Sequence, residues 1–139
     1  MTGNDFVKFF LHSPLYVFFG DTMLITVTGC KTGKKYTTPV GFYQDGDMLW
    51  ILSSRDRTWW RNVKCGADVE MRIRGKDLKG FAEALLDESA VATQVIEYIR
   101  HIPMSARTLG VRMENGEPNP GDAARLAKDR MFVRVKLNS

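Results

Sequence analysis

The sequence predicts a mainly β (α+β) domain, a small antiparallel barrel of about six strands with helical additions. Short β-branched or alternating apolar runs recur along the chain, and turn signals such as QDGD at 44–47 separate them. Helical periodicity is confined to a few stretches. Of the 139 residues, 44% are hydrophobic, which suits one domain with a substantial core. We therefore expect a single domain over 1–139, with a helical segment at 1–19 and the barrel at 20–139.

The N-terminal segment predicts a short helix over 4–12, which ends near Pro14. One side of this helix is aromatic at helical spacing, through Phe6, Phe9 and Phe10. Such a side more often covers a core than lies on a membrane, so membrane attachment is the weaker alternative. Because no basic leader region precedes it and the two cysteines make no disulfide scaffold, we expect a cytoplasmic protein.

Six segments have the composition and alternation of β-strands. In chain order they are 22–28, 35–43, 48–54, 69–75, 76–86 and 131–137. Pro39 lies inside the second segment. Since proline has no N–H to donate, it indicates a strand edge or a bulge at that point.

Helical turns are predicted between some of these strands. Residues 55–69 break the β pattern, and the middle of this stretch predicts one or two helical turns that stop near Gly66. A longer helix is expected to begin after Asp87 or Glu88 and to end at Pro103. Residues 110–122 predict a surface loop, and residues 123–129 a short helix.

The net charge of +4 favours an anionic partner without specifying one. The basic residues are interleaved with 16 acidic ones rather than collected in a stripe, so nucleic-acid binding is the less favoured class. Two histidines and no CxxC pair predict no metal site.

The connection GCKTGK at 29–34 concentrates glycine and lysine between the first two strands. Three residues, not four, separate Gly29 from Gly33, and the loop leads into a strand, which excludes a P-loop. A hairpin of this kind can accept an anion on its backbone N–H groups. Lys31 or Lys34 would add charge, and the Thr32 hydroxyl could donate to a phosphate oxygen. A solvated turn with lysines for solubility is the commoner alternative on composition alone.

The run TGCKTGKKYTTPVGFYQDGD, followed by WILSS, WWRNV and VEMRI, resembles the deazaflavin-dependent nitroreductase family. That family belongs to the split β-barrel superfamily, which also includes flavin-binding pyridoxamine-phosphate-oxidase-like proteins. The similarity covers roughly residues 20–88. It implies a six-stranded antiparallel split β-barrel. It also implies an oxidoreductase that transfers a hydride from the reduced deazaflavin coenzyme F420 to a small planar acceptor, such as a quinone or a nitroaromatic.

The resemblance also implies roles for individual residues. The residues of the GCKTGK loop would contact the cofactor phosphate, and those of the second and third strands would lie near the deazaflavin ring. The WWRN residues would line the cofactor cleft. The candidate cofactor-binding residues are Lys31, Thr32, Gly33, Lys34, Pro39, Ser53, Ser54, Arg55, Trp59, Trp60 and Asn62. No catalytic residue is assigned, because in such chemistry the cofactor carries the reactivity.

Cys30 stands where the family usually has an arginine. FMN is therefore kept as an alternative cofactor, and a non-catalytic module that binds a phosphorylated or lipidic anion is kept as an alternative function. Split barrels often pair, so the resemblance also implies a homodimer.

Overall fold

A computed structural model describes residues 21–138 and contains a closed antiparallel barrel of six strands. The strands within the described residues are β1 Asp21–Thr28, β2 Lys35–Asp45, β3 Met48–Ser54, β4 Ala67–Ile73, β5 Lys76–Leu85, β6 Met113–Glu114, β7 Glu117–Pro118 and β8 Arg130–Leu137. The barrel order is β1-β2-β3-β8-β5-β4, and β4 closes on β1. The predicted fold class and all six predicted strands are confirmed. The helix predicted at 4–12 lies outside the described residues.

The barrel interior is filled by alternate residues of the strands. In β4, Val69, Met71 and Ile73 are buried while the residues between them are exposed, as the period of two predicted. Ile25 and Ile51 are fully buried in the same interior. Burying an aliphatic side chain of this size contributes ~1.5–3 kcal/mol, so this alternation is the main source of the barrel's stability.

Three helices cover one side of the barrel: α1 Glu88–His101, α2 Ser105–Leu109 and α3 Pro120–Leu126. The α1 helix begins where predicted, because the Asp87 carboxylate accepts a hydrogen bond from the N–H of Ala90 at 3.0 Å. Its buried face packs with Tyr43 and Phe132, which point outward from the barrel strands. This packing forms a second apolar cluster between the helices and the barrel wall.

The region after α1 is more regular than predicted. The five-residue helix α2 was not predicted, and the expected loop at 110–122 contains the β6–β7 hairpin and the start of α3. The hairpin turns at Asn115 and Gly116, which both have positive φ. The α3 helix begins three residues before its predicted start, since the Asn119 side chain caps it and proline occupies its first position.

Six strand ends meet at one end of the barrel, which we call the upper rim. The register pairs Thr28 with Lys35, Ser54 with Arg130, and Ala67 with Ala82 at this end. The connection 29–34, the segment 55–66 and the start of α1 therefore lie on the same rim.

The barrel wall opens near this rim between β2 and β3. The two strands pair only from Phe42 to Asp45 on β2, whereas residues 35–41 pair with β1 alone. Pro39 lies in the one-sided stretch, opposite Leu24. The predicted strand edge at Pro39 is confirmed. Because Pro39 has a neighbouring strand on one side only, its missing N–H removes no hydrogen bond to a second strand.

Asp122 is a buried carboxylate that ties α3 to the preceding loop. Its side chain is 3% exposed and accepts hydrogen bonds from the backbone N–H and the Nε of Arg112, at 3.0 and 2.9 Å. Arg125 donates to its other oxygen at 3.0 Å. These hydrogen bonds, chiefly those from the Arg112 side chain, lower the pKa of Asp122 from its usual 3.8 to about 2.

We expect Asp122→Asn to lower the thermal midpoint of unfolding by several degrees. The amide cannot act as a counterion, so Arg112 and Arg125 lose a charge-assisted acceptor in a buried setting. Asp77→Asn is the control, because its pair with Arg72 is exposed and 3.7 Å long. Equal midpoints for the two variants in a calorimetric scan would contradict this role of Asp122.

The contribution of Asp122 to the stability of the folded protein should also depend on pH. A carboxyl whose pKa is lower in the folded state stabilises above its unfolded pKa and loses that effect as the pH falls through the folded value. The difference in midpoint between wild type and Asp122→Asn should therefore be constant above about pH 4 and shrink toward pH 2. A difference that stays unchanged down to pH 2 would argue against the lowered pKa.

Candidate functional site

The connection between β1 and β2 is a closed hairpin loop at the upper rim. The N–H of Gly29 donates to the Lys34 carbonyl at 2.7 Å, and the N–H of Gly33 donates to the Gly29 carbonyl at 2.9 Å. Gly33 has a φ of 70°, a conformation that glycine adopts without strain. These bonds fix the loop while Lys31 and Thr32 at its tip stay exposed.

The loop tip carries donors that have no acceptor within residues 21–138. The backbone N–H groups of Lys31 and Thr32 form no hydrogen bond there, and the ammonium groups of Lys31 and Lys34 pair with no carboxylate. Lys35 differs, since it pairs with Glu70 at 3.0 Å. Free N–H groups next to unpaired ammonium groups make this turn suited to an oxyanion.

The Thr32 hydroxyl is held in place at the same tip. It lies 3.2 Å from the Tyr36 hydroxyl and accepts a hydrogen bond from the N–H of Lys34 at 3.2 Å. A Cβ at Gly29 would stand 2.8 Å from both Thr32 Oγ1 and a ring carbon of Tyr36. The loop therefore requires glycine at 29 to keep Thr32 where it is.

A series of hydrogen bonds connects the loop to the end of β3. The N–H of Cys30 donates to Asn62 Oδ1 at 3.2 Å, and Asn62 Nδ2 donates to the Trp59 carbonyl at 3.1 Å. Trp59 Nε1 in turn donates to Ser53 Oγ at 3.2 Å. We call Cys30, Asn62, Trp59 and Ser53 the rim network. It places four positions from three separate segments, the loop, the 3₁₀ helix Trp59–Val63 and β3, in one bonded unit.

The two adjacent tryptophans have different surroundings. Trp60 is buried, its Nε1 donates to the Ser54 carbonyl at 3.1 Å, and the guanidinium of Arg61 lies 5.3 Å from the centre of its ring. Trp59 is only half-buried. Trp60 thus anchors the 3₁₀ helix in the core, and Trp59 is the indole that a ligand at the rim could contact.

Other candidate residues lie outside the rim network. Pro39 is adjacent to Val40, which points into the barrel, so Pro39 faces the outside. By contrast Ser53, a member of the rim network, lies two residues after the inward-pointing Ile51 and is on the same face of β3. The Ser54 hydroxyl donates to Asp56 at 2.6 Å.

Arg55 connects strand and helix ends rather than facing the loop. Its Nη2 donates to the carbonyls of Leu86 and Ala127 at 2.7 and 2.9 Å, and its Nε also donates to Ala127. Most of its donors are therefore used within the protein. Arg55 stays a predicted cofactor contact, with a structural role beside it.

Sequence reasoning missed the part played by Tyr36. Tyr36 was not among the candidate residues, yet its hydroxyl contacts Thr32 and its ring limits the space at Gly29. The four-residue separation of Thr32 and Tyr36 across a tight turn was the signal that could have shown this contact.

Solved structures share this fold at low sequence identity. A protein described as an F420 reductase matches with a TM-score of 0.52 and 16% identity, over 86% of this chain and 87% of that one. The heme storage protein HutZ of Vibrio cholerae matches with a TM-score of 0.59 and 14% identity, over 100% of this chain and 92% of that one. The fold is therefore the split β-barrel.

The sequence model of the F420H(2)-dependent quinone reductase family matches residues 15–101, a range that includes the loop and the rim network. The chain belongs to this family. An F420H(2)-dependent quinone reductase of Mycobacterium tuberculosis (strain H37Rv) is 33% identical over 60 residues, which are 40% of this chain and 40% of that protein. The chain thus matches less than half the length of its curated relatives. The resemblance to deazaflavin-dependent reductases is confirmed.

The helices of residues 21–138 include none that is both long and apolar enough to cross a membrane.

Removing the Asn62 amide should release the loop from the 3₁₀ helix. In Asn62→Leu, the N–H of Cys30 loses its acceptor, and a bond of this kind contributes about 1 kcal/mol. We expect hydrogen exchange at the Cys30 amide, followed by NMR, to become up to about tenfold faster.

Gln44→Leu is the matched control, because it removes an amide that bonds the Gly46 carbonyl in the turn between β2 and β3 at the opposite end of the barrel. Unchanged exchange at Cys30 in Asn62→Leu would show that the rim network does not hold the loop.

Proposed function

We propose that this protein is an oxidoreductase that transfers a hydride from reduced coenzyme F420 to a quinone. Membership of the F420H(2)-dependent quinone reductase family supports this proposal. The observation that carries it is the rim network, because it joins an anion-accepting loop to an indole and a serine hydroxyl within the matched range.

The donor set of the loop fits a phosphorylated cofactor. The Lys31 ammonium and the N–H groups of Lys31 and Thr32 suit the oxygens of a phosphate, and Lys34 adds a second cation. The absence of a side chain at Gly29 keeps Thr32 at the loop tip. These residues would hold the acidic part of the cofactor.

The planar part of the cofactor would lie toward the other half of the rim network. Trp59 offers a half-buried indole face, and its Nε1 is already used on Ser53, which fixes the ring. Ser53 Oγ accepts that bond, so its own O–H is free to donate to a polar atom of the ligand. The bound reduced cofactor supplies the hydride, and the protein binds, orients and shields the reacting groups.

The histidine within the described residues lies in the helix packing. The ring of His101 stacks on Tyr43 at 4.3 Å, and its Nδ1 lies 2.9 Å from the Glu97 carbonyl. This placement on α1 gives it a packing role, in line with a site that depends on the cofactor for its chemistry.

Binding of the cofactor can be tested by tryptophan fluorescence. Oxidised F420 and FMN are titrated separately, and we expect F420 to quench with micromolar affinity. Lys31→Met and Thr32→Val should each weaken binding by about tenfold, since each removes a charge-assisted contact to phosphate. Trp59→Phe should remove most of the quenching. Lys76→Met, at the exposed turn between β4 and β5, is the control expected to bind as wild type.

Turnover separates the proposed enzyme from the alternative binding module. Reduced F420 is mixed with a soluble quinone, and its oxidation is followed by absorbance. Tight binding without quinone-dependent oxidation would favour the non-catalytic module, and preferential binding of FMN would favour a flavin enzyme. If neither cofactor binds at micromolar concentration, the oxidoreductase proposal is wrong.

We also expect the protein to form a homodimer. Residues 35–41 of β2 pair with β1 on one edge, and within the described residues the other edge of this stretch has no partner strand. Open strand edges are templates for pairing with a second chain, which supports association of two copies along β2. Light scattering should give twice the mass of the chain, and a monomer mass at the highest soluble concentration would contradict the expectation.

A further inference from the structure

Thr32 and Tyr36 form a pair of hydroxyl groups at the β1–β2 loop, with Thr32 Oγ1 and Tyr36 Oη 3.2 Å apart. The N–H of Lys34 also donates to Thr32 Oγ1, at 3.2 Å. Both side chains pack on Gly29, because a Cβ there would stand 2.8 Å from Thr32 Oγ1 and 2.8 Å from a ring carbon of Tyr36. The loop itself therefore holds the two hydroxyl groups together.

Tyr36 lies on the inner face of β2, where the barrel wall opens. Its register partner is Val27, which is buried in the barrel core, and directly opposed residues of an antiparallel pair lie on the same face. Because residues 35–41 of β2 do not pair with β3, the side chain of Tyr36 is 46% exposed rather than buried. Its contact with Thr32 places the phenol next to the loop tip.

The number of protons and lone pairs at this pair restricts what Thr32 can do. Each hydroxyl group has one proton to donate, and Thr32 Oγ1 has two lone pairs. The N–H of Lys34 uses one lone pair of Thr32 Oγ1. If Tyr36 donates to the other, both lone pairs are used and the proton of Thr32 is left for a group outside the loop. The oxygens of a phosphate anion are acceptors, which suits this remaining proton.

We propose that Tyr36 is a positioning residue that orients the Thr32 hydroxyl as a donor to the oxyanion of the ligand. Tyr36 Oη–H donates to Thr32 Oγ1, and Thr32 Oγ1–H donates to a phosphate oxygen. Hydrogen bonds in such a chain polarise one another, so donation from Tyr36 strengthens the bond that Thr32 makes to the ligand. The inference rests on the proposed function, since it requires a phosphate at the loop.

The first test uses inorganic phosphate and the backbone N–H resonances of Lys31 and Thr32, followed by NMR. In the wild type, phosphate should shift both resonances saturably. Tyr36→Phe keeps the ring that packs on Gly29 and removes the hydroxyl alone, so we expect the Kd for phosphate to rise about fivefold. An unchanged Kd in Tyr36→Phe would overturn the proposal.

The matched control removes a hydroxyl group from the opposite face of the same strand. Thr37 follows Tyr36 in β2, and its hydroxyl lies 2.8 Å from that of Thr26, its register partner on β1. Thr37→Val therefore breaks a second hydroxyl pair of the same hairpin without changing the loop tip. It should bind phosphate as the wild type does, and a loss equal to that of Tyr36→Phe would contradict a specific role for Tyr36.

A double-mutant cycle separates a residue that acts through Thr32 from one that contacts the ligand itself. Thr32→Val should weaken phosphate binding by about tenfold, and the addition of Tyr36→Phe should cause no further loss. Thr32→Ser keeps the hydroxyl, so it should bind within about twofold of the wild type and retain the effect of Tyr36→Phe. Losses that multiply in the double variant would show direct contact by Tyr36 and contradict the positioning role.

Oxidised F420 is then titrated into the same variants by tryptophan fluorescence, to distinguish free phosphate from the phosphate of a cofactor. We expect Tyr36→Phe to weaken F420 binding by about fivefold as well. Unchanged affinity for F420 together with weaker phosphate binding would contradict the inference. If the wild type binds phosphate but not F420, the proposed function is wrong, and the phosphate titrations still decide the role of Tyr36. If it binds neither, both are wrong.

Discussion

The hydrogen bond from the Cys30 N–H to Asn62 Oδ1 is the constraint on which the upper rim depends. Without it, the β1–β2 connection would be a lysine-rich hairpin turn with no fixed relation to the aromatic segment. The Asn62 amide has one acceptor and one donor group, and each is used, on the loop and on the Trp59 carbonyl respectively. Because the 3₁₀ helix is itself anchored by the buried Trp60, the loop gains a rigid support.

Neighbouring residues at the rim divide between those that anchor the segment in the core and those that stay at the surface as candidate ligand contacts. In a 3₁₀ helix successive side chains point about 120° apart, so Trp60 can enter the core while Trp59 stays at the surface. The same division holds at the end of β3, where Ser53 belongs to the rim network and Arg55 holds the carbonyls of distant segments. The geometry of the candidate site is therefore supported by residues that belong to the core.

The sequence was sufficient to predict the strands, because alternation and hairpin turns are local signals that each segment carries by itself. It was also sufficient to single out Lys31 and Thr32 as candidate donors, because a turn of that composition presents donors however the barrel closes; their binding of an anion stays a prediction. The internal role of Arg55 was not predictable, since its acceptors lie 31 and 72 residues further along the chain. The position of Arg130 at the upper rim follows from the pairing of β3 with β8, which no local pattern shows.

Cys30, at the position where the resemblance implies an arginine, brings no charge to the loop but leaves its support intact. The bond that position 30 makes to Asn62 comes from the backbone N–H, which every residue except proline provides. Within residues 21–138 the ammonium groups of Lys31 and Lys34 pair with no carboxylate, so the loop is still suited to an oxyanion. The positive charge of this loop is thus placed by side chains, whereas the backbone N–H at position 30 fixes the loop that carries them.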